Sequence, residues 1–292
     1  MRVKVPASSA NLGPGFDCFG IAWQLYNEVE FYPSRELMIS GCPEKYQNRD
    51  NLAYQGYLAV LKAAGLPEEP VGIRFVSSEV PICRGLGSSS ALIVGGVLAA
   101  NRLHRLELSR DELLHAAAAV EGHPDNIAPA LLGGLTASIM DEQGKVVTAR
   151  FKLSDKLCFT ALIPDFELST ELARSVLPQQ ISRADAISNI SRASLLLKAL
   201  ELGDAELIPY ALQDKLHEPY RLSLIPGVER LRELAMSHGA AGMCISGAGS
   251  TLLCVSSGSG FAAGMAMAMA AEFPSWRVIP VIPDLQGAAV LE

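Results

Sequence analysis

The most distinctive stretch of the sequence is Val80-Pro81-Ile82-Cys83-Arg84-Gly85-Leu86-Gly87-Ser88-Ser89-Ser90-Ala91. It follows a strand-like run at 71–76 and precedes an apolar, alanine-rich segment at 91–103, whose length and composition predict a helix. The glycines allow positive φ and close approach to a ligand. The serines offer hydroxyl and N–H groups at a helix start, where the helix dipole favours anions. The stretch indicates a phosphate-binding loop or, alternatively, a serine-capped helix after a glycine turn.

The composition is that of an ordered globular protein. The chain has 292 residues, of which 49% are hydrophobic and 19% charged, and this length fits one large domain or two smaller ones. The net charge of −7, with scattered lysines and arginines, argues against nucleic acid as a partner. An anionic small molecule remains compatible with this charge, because a few local arginines can hold it.

Neither the cysteines nor the apolar segments indicate export or membrane insertion. The 6 cysteines form no C-x-x-C pair, and the first residues read as a strand without an apolar leader, so a reduced cytoplasmic protein is expected. The uncharged region at 239–271 is interrupted by glycine and serine clusters, which favours a buried strand and helix over a membrane span.

Two further polar clusters accompany the serine loop. The first is a Gly/Pro-rich loop at 6–17, which ends at Asp17. The second is Glu121-Gly122-His123-Pro124-Asp125-Asn126, which follows a helix predicted from the capping box of Ser109 and Glu112. Each cluster suits a small polar ligand. The structural alternatives are a plain strand connector for the first and a proline-initiated helix for the second.

The rest of the chain predicts a separate α+β unit. A strand at 157–163 is followed by helical segments beginning at 169, 184, 205 and 228. A hairpin at 242–255, a helix at 261–271 and strands near 277–281 and 288–291 complete it. This order suits a ferredoxin-like domain. We therefore expect an α+β protein with an N-terminal domain at 1–150 and a C-terminal domain at 151–292.

The absence of other nucleotide and metal motifs narrows the chemistry. The sequence has no GxxxxGK[ST], no GxGxxG after a strand, no HExxH and no GxSxG. What remains is a glycine–serine loop, a well-placed acid in Glu121 and separate polar loops. Serine hydroxyl and carboxylate oxygens are hard ligands that suit Mg²⁺, and phosphoryl transfer depends mainly on positioning and positive charge. These residues predict a small-molecule kinase without a P-loop.

The sequence resembles the GHMP kinases, and within them the homoserine kinase branch. The family's three motif blocks occur in order at 6–17, 81–91 and 246–251. The form of the first block, together with the cluster at 121–126, is similar to that branch, and the resemblance extends from residue 3 to the C-terminus. It implies an N-terminal domain like ribosomal protein S5, a ferredoxin-like C-terminal domain and transfer of phosphate from ATP to the hydroxyl of L-homoserine, a step toward threonine.

The resemblance also implies roles for individual residues. Asp17 is expected to pair with the substrate ammonium group, and Arg174 and Arg221 with its carboxylate. Mg²⁺ is expected on Glu121 and on Ser88 or Ser89. The residues expected around ATP are Pro81, Arg84, Gly85, Leu86, Gly87, Ser88, Ser89 and Ser90. Those expected around the substrate are Asn11, Asp17, His123, Asp125, Asn126, Arg174, Arg221 and Gly247, and those expected at the transfer itself are Asn126, Asp17, Thr170 and Arg174.

One position departs from the wider family. Mevalonate-type members have an aspartate, a candidate base, where this chain has Asn126, and an asparagine cannot accept a proton at neutral pH. We therefore expect no dedicated base, with Asp125 as the rival candidate. Two other functions remain open at this point: a GHMP-type kinase for another small alcohol, and a binding protein without catalysis on the same scaffold. A homodimer is expected from the resemblance alone.

Overall fold

The computed structural model describes residues 1–291. Its strands are β1 (Arg2–Ala10), β2 (Phe19–Pro33), β3 (Met38–Ser40), β4 (Val71–Ser78), β5 (Leu135–Met140), β6 (Val146–Phe151), β7 (Cys158–Ile163), β8 (Ala240–Ile245), β9 (Leu252–Ser256), β10 (Arg277–Val281) and β11 (Ala289–Leu291). Its α-helices are α1 (Leu52–Ala63), α2 (Ser88–Leu103), α3 (Arg110–Glu121), α4 (Ile127–Leu132), α5 (Thr170–Ser175), α6 (Arg183–Leu202), α7 (Ile208–Ala211), α8 (Glu218–Arg221), α9 (Val228–Ser237) and α10 (Phe261–Met269).

The first sheet is built around the long strand β2. This strand pairs with β1 along most of its length, while its first residues also pair with β5 and its last residues with β4. The order is β11-β1-β2-β4-β3, with β5 and β6 continuing from the start of β2. Helices α1 to α4 cover one face, where Val3, Phe31 and Ile73 of the strands pack against Tyr57 and Val97. The sheet therefore carries its four helices on one side, as α+β domains do.

The second sheet has the order β10-β7-β9-β8, with antiparallel neighbours. Helices α5 to α9 lie between β7 and β8 in the chain, and α10 lies between β9 and β10, which is the ferredoxin-like connection. Successive side chains of β9 point to opposite faces of the sheet and enter two different cores. Leu252 and Cys254 pack with α9 and α10, whereas Leu253 and Val255 belong to the core on the opposite face. The expected ferredoxin-like fold is confirmed.

The two sheets share a core. Ile21 and Trp23 of β2 pack in one cluster with Phe159 of β7, and the ring centroids of Trp23 and Phe159 are 5.2 Å apart. Trp23 is fully buried, and its indole N–H donates to Ser9 Oγ at 2.7 Å. Because this contact joins the two units, the loops at their common edge hold fixed positions relative to one another.

The structure corrects several sequence-based expectations. The first motif block begins as strand, since β1 runs to Ala10 and the loop proper starts at Asn11. The second glycine of the serine loop, Gly87, is already the N-cap of α2, so this helix starts three residues before the predicted position. The strands β3 and β6 escaped prediction because they are short or half-exposed.

The C-terminal strand lies in the first sheet. β11, which the division at 150 assigned to the second domain, pairs with β1 in the first sheet, with Arg2 opposite Leu291. The chain thus leaves the first sheet after β6 and returns to it at the end. Across residues 1–291, no helix combines the length and apolar character needed to cross a bilayer.

Candidate active site

A cavity of about 390 Å³ lies where the loops of the two units meet. Its walls come from the serine loop and the start of α2, from the cluster at 121–126, and from the segment between β3 and α1. The second unit contributes the start of α5, the side chain of Arg221 and the turn at 247–249. The three motif blocks of the sequence therefore meet at one cavity.

The N-terminus of α2 opens into this cavity without a side-chain cap. Its N-cap is Gly87, with φ of 69°, whereas α3 and α6 are capped by the hydroxyls of Ser109 and Ser182. A Cβ on Gly87 would collide with Ser8 Oγ, and one on Gly85 would collide with the carbonyl oxygen of Ser246. An uncapped first turn of a long helix, preceded by glycines, is an arrangement that suits an anion such as phosphate.

Glu121 is held against the first turn of α2. Ser89 Oγ donates to its Oε2 at 2.7 Å, and Ser90 Oγ donates to its Oε1 at 2.8 Å. Ser88, Ser89 and Glu121 line the cavity, while Ser90 is buried beneath it. A carboxylate and serine hydroxyls beside a phosphate site form a hard oxygen donor set, so these residues fit Mg²⁺.

The neighbouring polar loop is locked by its own hydrogen bonds. The ring of His123 contacts Asp125 through Nδ1 and Oδ1 at 2.6 Å, and the same oxygen accepts from the backbone N–H of Asn126 at 2.9 Å. Burial acts to lower the pKa of His123, but the hydrogen bond and charge of Asp125 outweigh it and raise the pKa above its usual value. Asn126 Oδ1 accepts from Ser8 Oγ at 2.9 Å, which fixes the amide beside the phosphate end.

Asp17 and Arg174 form an ion pair with each other. The guanidinium donates to both carboxylate oxygens, at 3.1 and 2.8 Å, in the planar fork that arginine forms with carboxylates. Both side chains are about one-third exposed, at 35% and 38%. The sequence analysis expected Asp17 at the ammonium group of the substrate and Arg174 at its carboxylate. In the structure Asp17 already faces a cation, and Arg174 already faces a carboxylate.

Arg221 lies beside this pair but is almost fully buried. Its Nε donates to the carbonyl of Ala173 at 3.0 Å, and its Nη1 donates to that of Gly247 at 3.3 Å. Both Arg221 and Arg174 stand over the ring of Phe16, at 5.1 and 5.8 Å from its centroid. Burial and the nearby charge of Arg174 lower the pKa of Arg221 to about 10, so it is still a cation at neutral pH.

Asn11, Gly247 and Thr170 line the cavity near the Asp17–Arg174 pair. Asn11 adopts φ of 57°, its Nδ2 donates to Gly247 O at 2.9 Å, and its Oδ1 accepts from the N–H of Asp17 at 2.8 Å. Both ends of the amide therefore hold loops in place. Thr170 is the exposed first residue of α5 and lines the cavity one turn before Arg174.

Comparison with known proteins shows what this arrangement is similar to. The family model "GHMP kinases N terminal domain" matches residues 51–134, and "GHMP kinases C terminal" matches residues 196–273. A homoserine kinase of Clostridium botulinum (strain Kyoto / Type A2) is 45% identical over 255 residues, which cover 87% of this chain and 85% of that protein. The chain belongs to the homoserine kinases of the GHMP kinase family. A second homoserine kinase, from Clostridium botulinum (strain Eklund 17B / Type B), is 40% identical over 100% of this chain and 99% of its own.

Solved structures agree with this assignment. A homoserine kinase from Cytophaga hutchinsonii ATCC 33406 superposes with a TM-score of 0.87 at 29% identity, covering 100% of this chain and 97% of that one. The Streptococcus pneumoniae phosphomevalonate kinase in complex with phosphomevalonate and AMPPNP has a TM-score of 0.76 at 15% identity over 97% of this chain and 99% of its own, a likeness of fold alone. The expected two-domain architecture and kinase activity are confirmed, and ATP is the co-substrate of the family.

Some residues expected around ATP have other contacts in the structure. The guanidinium of Arg84 donates to the carbonyls of Ile82, Pro164 and Asp165, and so fastens the serine loop to the end of β7. Leu86 is buried to 1% exposure in the shared core. Pro81 and Leu86 do not belong to the residues that line the cavity.

Nothing in the sequence indicates that some other residues also line the cavity. The segment between β3 and α1, including Cys42, Tyr46 and Asn51, lines the end of the cavity beyond the serine loop. Asn27, at 3% exposure, accepts from the N–H of Val80 at 3.2 Å and so anchors the start of that loop. Their sequence surroundings resemble any polar loop or strand, because their role depends on contacts distant along the chain.

Proposed function

We propose that the chain transfers the γ-phosphoryl group of ATP to the side-chain hydroxyl of L-homoserine, giving O-phospho-L-homoserine in threonine biosynthesis. One observation carries the proposal: a single cavity joins the uncapped N-terminus of α2 to two arginines, one of which, Arg174, is paired with Asp17. An anion site and a receptor for a zwitterion are thus neighbours. The names of the relatives, which are homoserine kinases, support the same substrate.

The phosphate end binds through backbone. The N–H groups of the first turn of α2 would hold ATP phosphate oxygens, and Gly85 and Gly87 allow their close approach. Glu121 with Ser88 or Ser89 would hold Mg²⁺, which neutralises charge on the phosphate oxygens when it is bound. The hydrogen bonds from Ser89 and Ser90 already aim both oxygens of Glu121 at this turn.

The substrate end suits an amino acid because Asp17 and Arg174 can exchange their mutual ion pair for contacts with the two charged groups of the substrate. The carboxylate of L-homoserine would bind Arg174 and Arg221, and its ammonium group would take over Asp17. The two charges that now pair in the Asp17–Arg174 fork would then each face the opposite charge of the substrate. A sugar or mevalonate lacks the ammonium group and would leave Asp17 without a cation.

We further propose that no side chain acts as a dedicated base. Asn126, fixed by Ser8, orients the attacking hydroxyl but cannot take its proton. The rival, Asp125, is 1% exposed, and its Oδ1 is occupied by His123 and the N–H of Asn126. Positioning supplies most of the acceleration in phosphoryl transfer. We expect Asp125→Asn to retain activity. Two results together would contradict this view: a rate in Asn126→Asp that rises steeply with pH, and an inactive Asn126→Ala.

The first experiment is a coupled ADP-release assay with MgATP. The acceptors are L-homoserine, D-homoserine, L-serine, L-threonine, mevalonate and galactose. We expect turnover with L-homoserine alone, its loss in Glu121→Ala, and its loss in Arg174→Ala at L-homoserine concentrations near the KM of the parent. Turnover with an alcohol that is not an amino acid would keep the kinase and discard the role given to Asp17 and the arginines.

Three further features belong to the same proposal: the location of the enzyme, its oligomeric state and its domain boundary. The 6 cysteines are free, as expected for the reducing cytoplasm, where we propose the enzyme works. The homodimer and the domain boundary near residue 150 stay predictions. Light scattering of the purified protein checks the first, and limited proteolysis checks the second.

A further inference from the structure

We propose that His217 is a positioning residue for the substrate carboxylate: its neutral imidazole receives a hydrogen bond from Arg221 and aims that guanidinium into the cavity. The inference rests on the proposed function, in which Arg221 binds that carboxylate. The segment 217–221 had no assigned role in the sequence beyond Arg221 itself. His217 precedes Arg221 by one turn of α8, so both side chains lie on the same side of the helix.

The contacts of His217 determine where its proton lies. The side chain is 0% exposed, and its Nε2 is 2.9 Å from the carbonyl oxygen of Gly13. A carbonyl oxygen only accepts, so Nε2 must carry the hydrogen. In the neutral ring, Nδ1 then holds a lone pair, and it faces Nη1 of Arg221 at 3.4 Å. The guanidinium only donates, so this long contact is complementary only when the imidazole is neutral.

The charged groups around His217 favour that neutral ring. Burial and the charge of Arg221 lower the pKa of His217, and they outweigh the opposing effect of Asp214, whose Oδ2 is 3.7 Å from Nε2. Asp214 is itself occupied: it accepts from the N–H groups of His217 and Glu218 at 2.7 and 2.8 Å. Asn189 donates to its other oxygen at 2.6 Å. The carboxylate thus fixes the start of α8 and with it the backbone of His217.

The same ring connects Arg221 to the first motif block. The imidazole stacks on Phe16, with centroids 5.3 Å apart and planes 23° from parallel. Phe16 also lies under Arg221. Within residues 1–291, the hydrogen bonds of Arg221 use only Nε and Nη1. Nη2 is therefore the nitrogen left for a carboxylate, and the bond from Nη1 to His217 fixes the rotation that presents it.

Two variants separate the two nitrogens of the ring. In His217→Asn the amide oxygen stands near the place of Nδ1, so an acceptor toward Arg221 remains while the bond to Gly13 is lost. In His217→Gln the amide nitrogen reaches the place of Nε2, so the donor to Gly13 remains while the acceptor toward Arg221 is lost. Both remove the stacked ring, so they share the packing loss and serve as matched controls for each other.

The test is the steady-state kinetics of the full chain with MgATP and L-homoserine, together with the melting temperature of each variant. We expect His217→Gln to raise the KM for L-homoserine at least tenfold, His217→Asn to stay within about threefold of the parent, and both to leave the KM for ATP unchanged. In an Arg221→Ala background, His217→Gln should raise the KM no further. The parent must first turn over L-homoserine, which tests the proposed function separately.

Two results would overturn the inference. One is an equal rise of KM in the Asn and Gln variants that follows their melting temperatures, which would make His217 a packing residue only. The other is an additive effect of His217→Gln in the Arg221→Ala background, which would mean that His217 acts independently of Arg221. If Arg221→Ala itself leaves the KM for L-homoserine unchanged, the proposed carboxylate site is wrong and the positioning role falls with it.

Discussion

The two ends of the cavity are built in different ways. The phosphate end uses the backbone of one continuous stretch, 85–90, with a single acid from α3. The proposed substrate end uses side chains from the first loop, from α5 and from α8, together with the backbone of the turn after β8. The first end needs glycine and small residues in a fixed local order. The second needs only that distant parts of the chain meet.

This difference determines how each end tolerates substitution. At the phosphate end a wrong Cβ meets backbone or a short side chain, so little can relax. At the substrate end the long side chains of Arg174 and Arg221 share the work, so the loss of one leaves another cation nearby. We therefore expect changes at the phosphate end to affect turnover or ATP binding, and changes at the substrate end to affect the KM for the amino acid.

The largest effect is expected for Glu121→Ala. It removes the one carboxylate that the first turn of α2 holds, and with it the proposed Mg²⁺ ligand. We expect kcat to fall roughly 10²–10³-fold, as for loss of a group that stabilises transition-state charge, with little change in the KM for L-homoserine. The exposed Glu142→Ala, in the turn after β5, is the control for loss of a carboxylate. An equal loss of amino-acid affinity would erase the distinction between the two ends.

The next effect is expected for Gly87→Ala. Its φ of 69° is unfavourable for alanine, and the new Cβ would collide with Ser8 Oγ, so the first turn of α2 must shift. We expect the KM for ATP to rise at least tenfold. Gly144→Ala is the matched control, because Gly144 has a φ of 79° but nothing within 4 Å of a Cβ. Both variants should lose about 1–2 kcal/mol of stability from the backbone strain, and only Gly87→Ala should weaken ATP binding.

A smaller effect is expected for Arg174→Lys. Lysine keeps the charge but cannot make the two-pronged contact that Arg174 makes with Asp17. We expect the KM for L-homoserine to rise about tenfold in Arg174→Lys, with the KM for ATP unchanged, and Arg174→Ala to be more severe. Steady-state kinetics with each substrate varied in turn provides the measurement. A lysine variant equal to the parent would show that charge alone suffices at this end.

The last effect concerns stability, not kinetics, and lies beneath the substrate end. Burial raises the pKa of Glu218 to about 8, while its Oε1 accepts from the N–H of Ile245 at 2.7 Å. The folded state therefore binds a proton that the unfolded state releases near its ordinary pKa of about 4.3. Stability from this group is complete below pH 4 and declines as the pH rises to 8.

Glu218→Gln should flatten that decline. We expect the free energy of unfolding of the variant, relative to the parent, to increase from pH 5 to pH 8. Urea denaturation at several pH values measures it, with Glu142→Gln as the exposed control. A difference that stays constant with pH would mean that Glu218 is ionised in the folded protein.

The same contrast explains what the sequence could predict. The serine loop and the helix after it follow from local residue order, and so do the capped start of α3 and the apolar strands of the second sheet. The charge assignment of Asp17 and Arg174 did not reveal that they pair with each other, because 157 positions separate them. For the same reason, the sequence did not reveal that Arg84, which is expected around ATP, donates to the carbonyls of residues 164 and 165 in the other unit.

The position of the last strand has one more consequence. Because β11 pairs with β1, the segment from β7 to β10 is an insertion anchored to the first sheet at both of its ends. Two tethers confine Arg174 and Arg221 to a smaller volume around the serine loop than one tether would, which raises their effective concentration there. Cutting the chain between β10 and β11 would remove one of the two tethers without removing any residue of the cavity. The effective concentration of Arg174 and Arg221 at the serine loop would then fall.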